Sequence, residues 1–212
     1  MEPVFTLPYS EWAVAQRLAS LLPAAQGFSL HAPLSRQEKG VDLVVTCRMG
    51  RVTRAASLQV KASRTYPRPA PSERTKDHAF DTFFNSFPLP DQADFVALVA
   101  MYPTEVARQS RARASWWAPV ILLFTHAEVH DFLASVRTKD GRPDRMFGFG
   151  FDSEAEVFQT RGDQQRRHKS FTEYLVASKI GVLRTFLTGG AAVLEGACLG
   201  SSVKCNTARH GT

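Results

Sequence analysis

The chain has 212 residues, 44% of them hydrophobic and 22% charged, which excludes collagen, low-complexity polymer and full disorder and suits one domain with a buried core. Twenty-six Lys and Arg against 20 Asp and Glu leave a formal net charge of +6, an excess that fits a polyanionic partner and fits plain solubility equally well. No apolar run reaches the roughly 18 to 20 residues of a membrane span, so no membrane association is expected, and no basic stretch precedes an apolar one at the start. Cys47, Cys198 and Cys205 lack metal-ligand spacing, and a reducing cytoplasm is their simplest home.

Ser10 reads as the N-cap of a helix that runs to about residue 22, ahead of Pro23. Along it Glu11, Ala15, Leu18 and Leu22 recur at helical spacing, so a carboxylate heads the buried stripe. After Gly27, residues 28–34 read as a first strand, 41–47 as a second and 56–62 as a third, with a turn around Gly50 within 48–54. Residues 64–78 hold three prolines and many charges and read as a mobile basic loop. A short aromatic segment, 80–87, leads to a fourth strand at 95–101, and a basic, aromatic connection at 107–117 leads to a fifth at 119–124. A helix over 127–137, a hairpin of 147–151 with 156–160, and a helix over 171–187 complete the pattern. Residues 189–212 are rich in Gly, Ala, Ser and Thr and read as a flexible tail. The expected fold is therefore α/β, a single domain over 1–188 with a mixed central sheet of about five strands flanked by helices.

Side chains alternate across a strand, so Asp42, Val44 and Thr46 share one face of the second strand while Ser57, Gln59 and Lys61 share one face of the third. If the two strands are hairpin neighbours, Asp42 lies opposite the Gln59–Lys61 end, and Glu11 approaches from the packed helix. A carboxylate, an amide oxygen and an ammonium would then meet. Divalent-ion phosphodiester chemistry uses such a set: hard oxygen ligands for Mg²⁺ or Mn²⁺ and a cation near the attacking water. The carbonyl oxygen of Val60 is a further candidate ligand. A lysine on a mostly buried strand requires a partner, because desolvating an ammonium costs several kcal/mol.

Helical Glu11, a strand opening Gly40-Val41-Asp42, sixteen intervening residues and then Gln59-Val60-Lys61 resemble the PD-(D/E)XK nuclease superfamily. The Gln form of the last motif is similar to Mrr-like restriction nucleases, and the helical Glu is similar to that of archaeal Holliday-junction resolvases. The motifs cover about residues 9–63. The resemblance implies a restriction-endonuclease-like sheet, with Asp42 as principal metal ligand, Glu11 as auxiliary ligand, Gln59 in the metal shell and Lys61 orienting or deprotonating water. Two departures stand out. Gln59 occupies a position where most members carry Glu or Asp, which removes charge from the ion shell, and Val41 replaces the proline that often precedes the aspartate.

Each residue also has a purely structural reading. Asp42 can cap the start of a strand, Gln59 and Lys61 can belong to the solvated face of an edge strand, and Glu11 can serve the helix dipole. Arg108, Arg111 and Arg113 beside Trp116 and Trp117 form a candidate phosphate-binding cluster, while Arg161, Arg166, Arg167, His168 and Lys169 suit a solvated loop. His126 and His130 are four apart without the H-E-x-x-H order, and there is no G-x-S-x-G, P-loop or dinucleotide fingerprint. The expected function is a metal-dependent DNA endonuclease or defence-related nuclease module using Mg²⁺ or Mn²⁺, with DNA as partner and a homodimer where both strands are cut. The alternative is a nuclease-derived domain of weak or lost activity that binds DNA or assembles with protein. A third is a purely regulatory domain recruited through the 64–78 loop or the tail.

Overall fold

The computed structural model describes residues 9–33, 40–67, 78–103, 117–138, 140–153, 155–162 and 169–190. Its elements are α1 (Tyr9–Leu21), β1 (Phe28–His31), β2 (Leu43–Met49), β3 (Val52–Ser63), β4 (Thr65–Pro67), β5 (Phe80–Asn85), β6 (Phe95–Pro103), β7 (Trp117–Thr125), α2 (His126–Ser135), β8 (Met146–Phe151), β9 (Val157–Arg161) and α3 (Val176–Thr188). Short 3₁₀ turns at Ala24–Gln26 and Thr172–Tyr174 precede β1 and α3.

The expected five strands form one mixed sheet in the order β1-β2-β3-β6-β7. Only β3 and β6 run parallel; every other neighbouring pair is antiparallel. Sequence patterning explains the layers. β6 and β7 are continuous apolar runs and are buried on both faces. Phe95, Ala97 and Val99 of β6 join a core with Val14 and Leu18 of α1 and Leu183 and Leu187 of α3. Val96, Leu98 and Ala100 point the other way, into a second core with Phe132 of α2 and the phenylalanines of β8. In β2 and β3 only one face is apolar: Leu43, Val45, Ala56 and Leu58 join the helix-side core, which leaves the polar alternates on the opposite face.

A second sheet, order β4-β5-β8-β9 and wholly antiparallel, was outside the sequence-based expectation. The segment read as a loop begins with Thr65–Pro67, which pairs with β5 as an edge strand, where a proline is tolerated. Its remainder, 68–77, lies outside the described residues, as do 191–212 of the expected tail. The expected 147–151 with 156–160 hairpin is present as β8 and β9. In β8 the run Phe147-Gly148-Phe149-Gly150-Phe151 alternates rings into the core with glycines on which the rings of Phe83 and His78 lie.

Three local differences have clear causes. Ser10 stands inside the first turn of α1 rather than capping it. The β2–β3 turn is tighter than expected, a two-residue Gly50-Arg51 loop between paired Met49 and Val52, with Gly50 at φ +61. The closing helix starts at Val176, because Leu175 is extended (φ −54, ψ 137) and bridges Leu122 of β7.

Candidate functional site

The β2–β3 ladder pairs Leu43 with Leu58, both in the helix-side core. One residue further out, Asp42 meets Gln59, and alternation turns both onto the opposite face. There the regular ladder gives way to a side chain. The Asp42 amide donates to the Leu58 carbonyl at 2.8 Å, and the Val60 amide donates to Asp42 Oδ2 at 2.7 Å. Asp42 thus caps the strand, as its structural reading requires. Among the described residues its second oxygen, Oδ1, has no partner. Because the N–H and C=O of a strand residue project to the same edge, the Val60 carbonyl is directed to the Asp42 side as well.

Gln59 is 5% exposed, and its Oε1 is buried without a hydrogen-bond partner. That is costly, since an unsatisfied buried acceptor forfeits about 1 to 3 kcal/mol. The cover over Gln59 comes from Gly40 and Pro90. Gly40 sits at φ +97, and a Cβ there would collide with the Pro90 ring and stand 3.7 Å from Gln59 Nε2, so the position accepts only glycine. Lys61 shares the face two residues along β3. The partner its burial requires is an aromatic ring, not a carboxylate: its ammonium stands 5.5 Å from the centroid of Phe87. Among the described residues it has no ion pair.

Glu11 lies half-buried in the first turn of α1, at the head of a stripe continued by Val14, Leu18 and Leu22. That helix packs on the face opposite Asp42, Gln59 and Lys61. By register Asp42, Gln59 and Lys61 share one face of the sheet, and α1, which carries Glu11, packs on the other.

Asp94, which sequence reasoning passed over, braces the site. Its Oδ2 accepts from both the amide and the hydroxyl of Ser57 at 2.8 Å, and its own amide donates to the Ser57 hydroxyl at 3.1 Å. The Ser57 hydroxyl also bonds the Gln92 carbonyl. These contacts pin the start of β6 to β3 and hold the preceding loop, with Phe87 and Pro90, over Lys61 and Gln59. An acidic residue directly before a long apolar strand was the available signal.

Arg108, Arg111 and Arg113, with Trp116, lie outside the described residues, as do Arg166, Arg167 and His168. Arg161 is paired with Asp144 (Nε to Oδ2, 3.2 Å), and Lys169 stands over Phe171 at 5.5 Å. Burial pushes the Asp144 carboxyl up, but the Met146 amide and Arg161 outweigh it and hold the group below its ordinary value. His130 is exposed beside Asp131, and among the described residues no three His, Cys, Asp or Glu side chains cluster as metal ligands. Cys47 is a free, buried thiol whose ionisation burial pushes up.

Comparison with family models, with curated proteins and with solved structures finds no match. Among the described residues no helix is long and apolar enough to cross a membrane.

Proposed function

We propose that the chain is a metal-dependent phosphodiesterase of the PD-(D/E)XK type acting on DNA. The observation that carries this reading is the orphaned Gln59 Oε1, buried opposite a carboxylate whose Oδ1 is also free among the described residues. An orphaned amide oxygen beside a carboxylate oxygen that no described residue engages, with a third donor in the Val60 carbonyl, fits a hard dication better than a neutral ligand. Asp42, Gln59 and Val60 would hold Mg²⁺ or Mn²⁺, which when bound supplies a Lewis acid that acidifies water and offsets negative charge on the phosphate. A mixed α/β fold with a five-stranded mixed sheet is compatible with this reading at the level of fold class.

In this reading Lys61 acts directly on the reacting groups. Its ammonium, held at the Phe87 ring and free of any carboxylate among the described residues, would orient the attacking water and neutralise charge developing on the phosphorane oxygens. Asp42 would have a double duty: one oxygen fixes β3 through the Val60 amide, and the other would help hold the ion.

Incubating supercoiled plasmid, branched DNA and single strands with the full chain and Mg²⁺ or Mn²⁺ tests this. Cleavage is expected to depend on the ion and to fall by about 10² or more in Asp42→Asn and in Lys61→Ala. Asp42→Asn keeps an acceptor for the Val60 amide, so its loss would not trace to a broken strand end. Ion-independent cleavage, or full activity in both variants, would overturn the proposal.

A second reading has its own support. Gln59 brings no charge, and Asp42 Oδ2 is already engaged by Val60. A nuclease-derived module that binds DNA without cutting it would retain labelled DNA in the same assay while leaving it intact.

A further inference from the structure

The backbone crosses from the first sheet to the second at Arg64, and the crossing opens a groove lined by Ala62, Ser63, Arg64, Thr65, Tyr66 and Met101. It begins one residue beyond Lys61. Two features of its lining point to the same kind of ligand. Tyr66 is 50% exposed, yet its ring is braced on Phe83, with centroids 6.1 Å apart, and its backbone is paired in β4. A large aromatic face is thus presented at little cost in ordering. Arg64 is exposed, and among the described residues its guanidinium has no ion pair, while its carbonyl is anchored by the Thr82 hydroxyl at 3.1 Å.

An aromatic plate and a free guanidinium match a base and a phosphate respectively. A base paired inside a duplex keeps both faces stacked on its neighbours, so the ring of Tyr66 favours an unpaired base. We propose that this groove holds an unpaired nucleotide of a nucleic-acid strand, its base on the Tyr66 ring and its phosphate at Arg64. The substrate class of the Asp42–Lys61 site is then a single strand, or a duplex carrying an unpaired segment. At about 3.3 Å per residue Tyr66 is no more than roughly 17 Å along the chain from Lys61, a span of a few nucleotides. The link to cleavage rests on the reading given above; the binding groove stands on its own residues.

Fluorescence anisotropy of the full chain in EDTA tests it, using a labelled DNA strand of about 12 nucleotides and the blunt duplex of the same sequence. The single strand is expected to bind about tenfold more tightly than the duplex, with Tyr66→Ala losing about tenfold for the single strand and Tyr66→Phe less than about twofold. Arg64→Ala should lower the salt dependence of single-strand binding by about 0.7 in slope. If Tyr66→Ala melts early, Tyr66→Leu keeps the packing on Phe83 while removing the aromatic face, and should show the same loss. Preference for the blunt duplex, unchanged binding in a folded Tyr66→Ala or Tyr66→Leu, or no binding to either DNA would overturn the proposal. Tyr66-dependent binding by a chain that cuts nothing removes the catalytic reading and leaves this one standing. Cutting abolished by Asp42→Asn, with binding indifferent to Tyr66, does the reverse.

Discussion

Gln59 spends a buried amide oxygen on no protein partner, at a position where a thioether of the same length would pack without loss. Gln59→Met is accordingly expected to raise stability without metal by about 1 kcal/mol in urea unfolding, and to abolish any rise in melting temperature on adding Mn²⁺. A fall in stability would mean that the oxygen is already satisfied. Gln59→Glu tests the opposite direction. A second carboxylate beside Asp42 should lower the melting temperature in EDTA and enlarge the Mn²⁺-dependent gain beyond that of the wild type, measured by differential scanning fluorimetry. At this scale much was legible: a side-chain period of two puts Asp42, Gln59 and Lys61 on like faces once the hairpin is assumed. Lys61's ring partner was not, because Phe87 is brought over it by a loop whose position depends on the contact between Ser57 and Asp94.

A capping box starts α2, and a charged pair ties that helix to α3. Thr125 and Glu128 form a capping box at the start of α2, with the Thr125 amide donating to Glu128 Oε2 at 2.9 Å. The other carboxylate oxygen accepts from Lys179 of α3, whose ammonium also stands 4.9 Å from the Tyr174 ring. Burial pushes the Glu128 carboxyl up, but the bonds from Lys179 and Thr125 outweigh it and hold the group below the usual value of 4.5. A lowered folded-state pKa contributes stability that is fully present above the unfolded value and fades as the pH falls through the folded one. Glu128→Gln should therefore cost about 1 kcal/mol at neutral pH and flatten the loss of stability below pH 4.5, as read from urea midpoints across that range. The T-x-x-E spacing at 125–128 is a helix-start signal visible in the chain itself. Its tie to Lys179, 51 residues away, is visible only once α3 lies against α2.

Across the molecule, β6 and β7 belong to both cores, their odd and even residues facing opposite layers. Neither core can come apart without exposing the same two strands, so unfolding is expected to be a single cooperative event. Leu18→Ala on the helix side and Phe149→Ala on the other should each cost roughly 2 to 5 kcal/mol. Both should shift one transition that coincides by far-UV and near-UV circular dichroism; separate midpoints for the two probes would contradict the shared-strand argument. The second sheet was the largest feature missed. Its β4 is three residues long, and the β5–β8 pairing joins segments more than sixty residues apart, so no local periodicity announces it.

Strand alternation, continuous apolar runs and turn glycines are properties of neighbours along the chain, and they sufficed for the five-stranded sheet, its flanking helices and the shared face of Asp42, Gln59 and Lys61. Tertiary structure alone decided which layer Glu11 occupies, what covers Gln59, that Asp42 spends one oxygen on the Val60 amide, and that a groove opens at Arg64. Each of those depends on contacts between segments far apart in sequence, whose register is set by competing packing over the whole fold and not by the residues at the site.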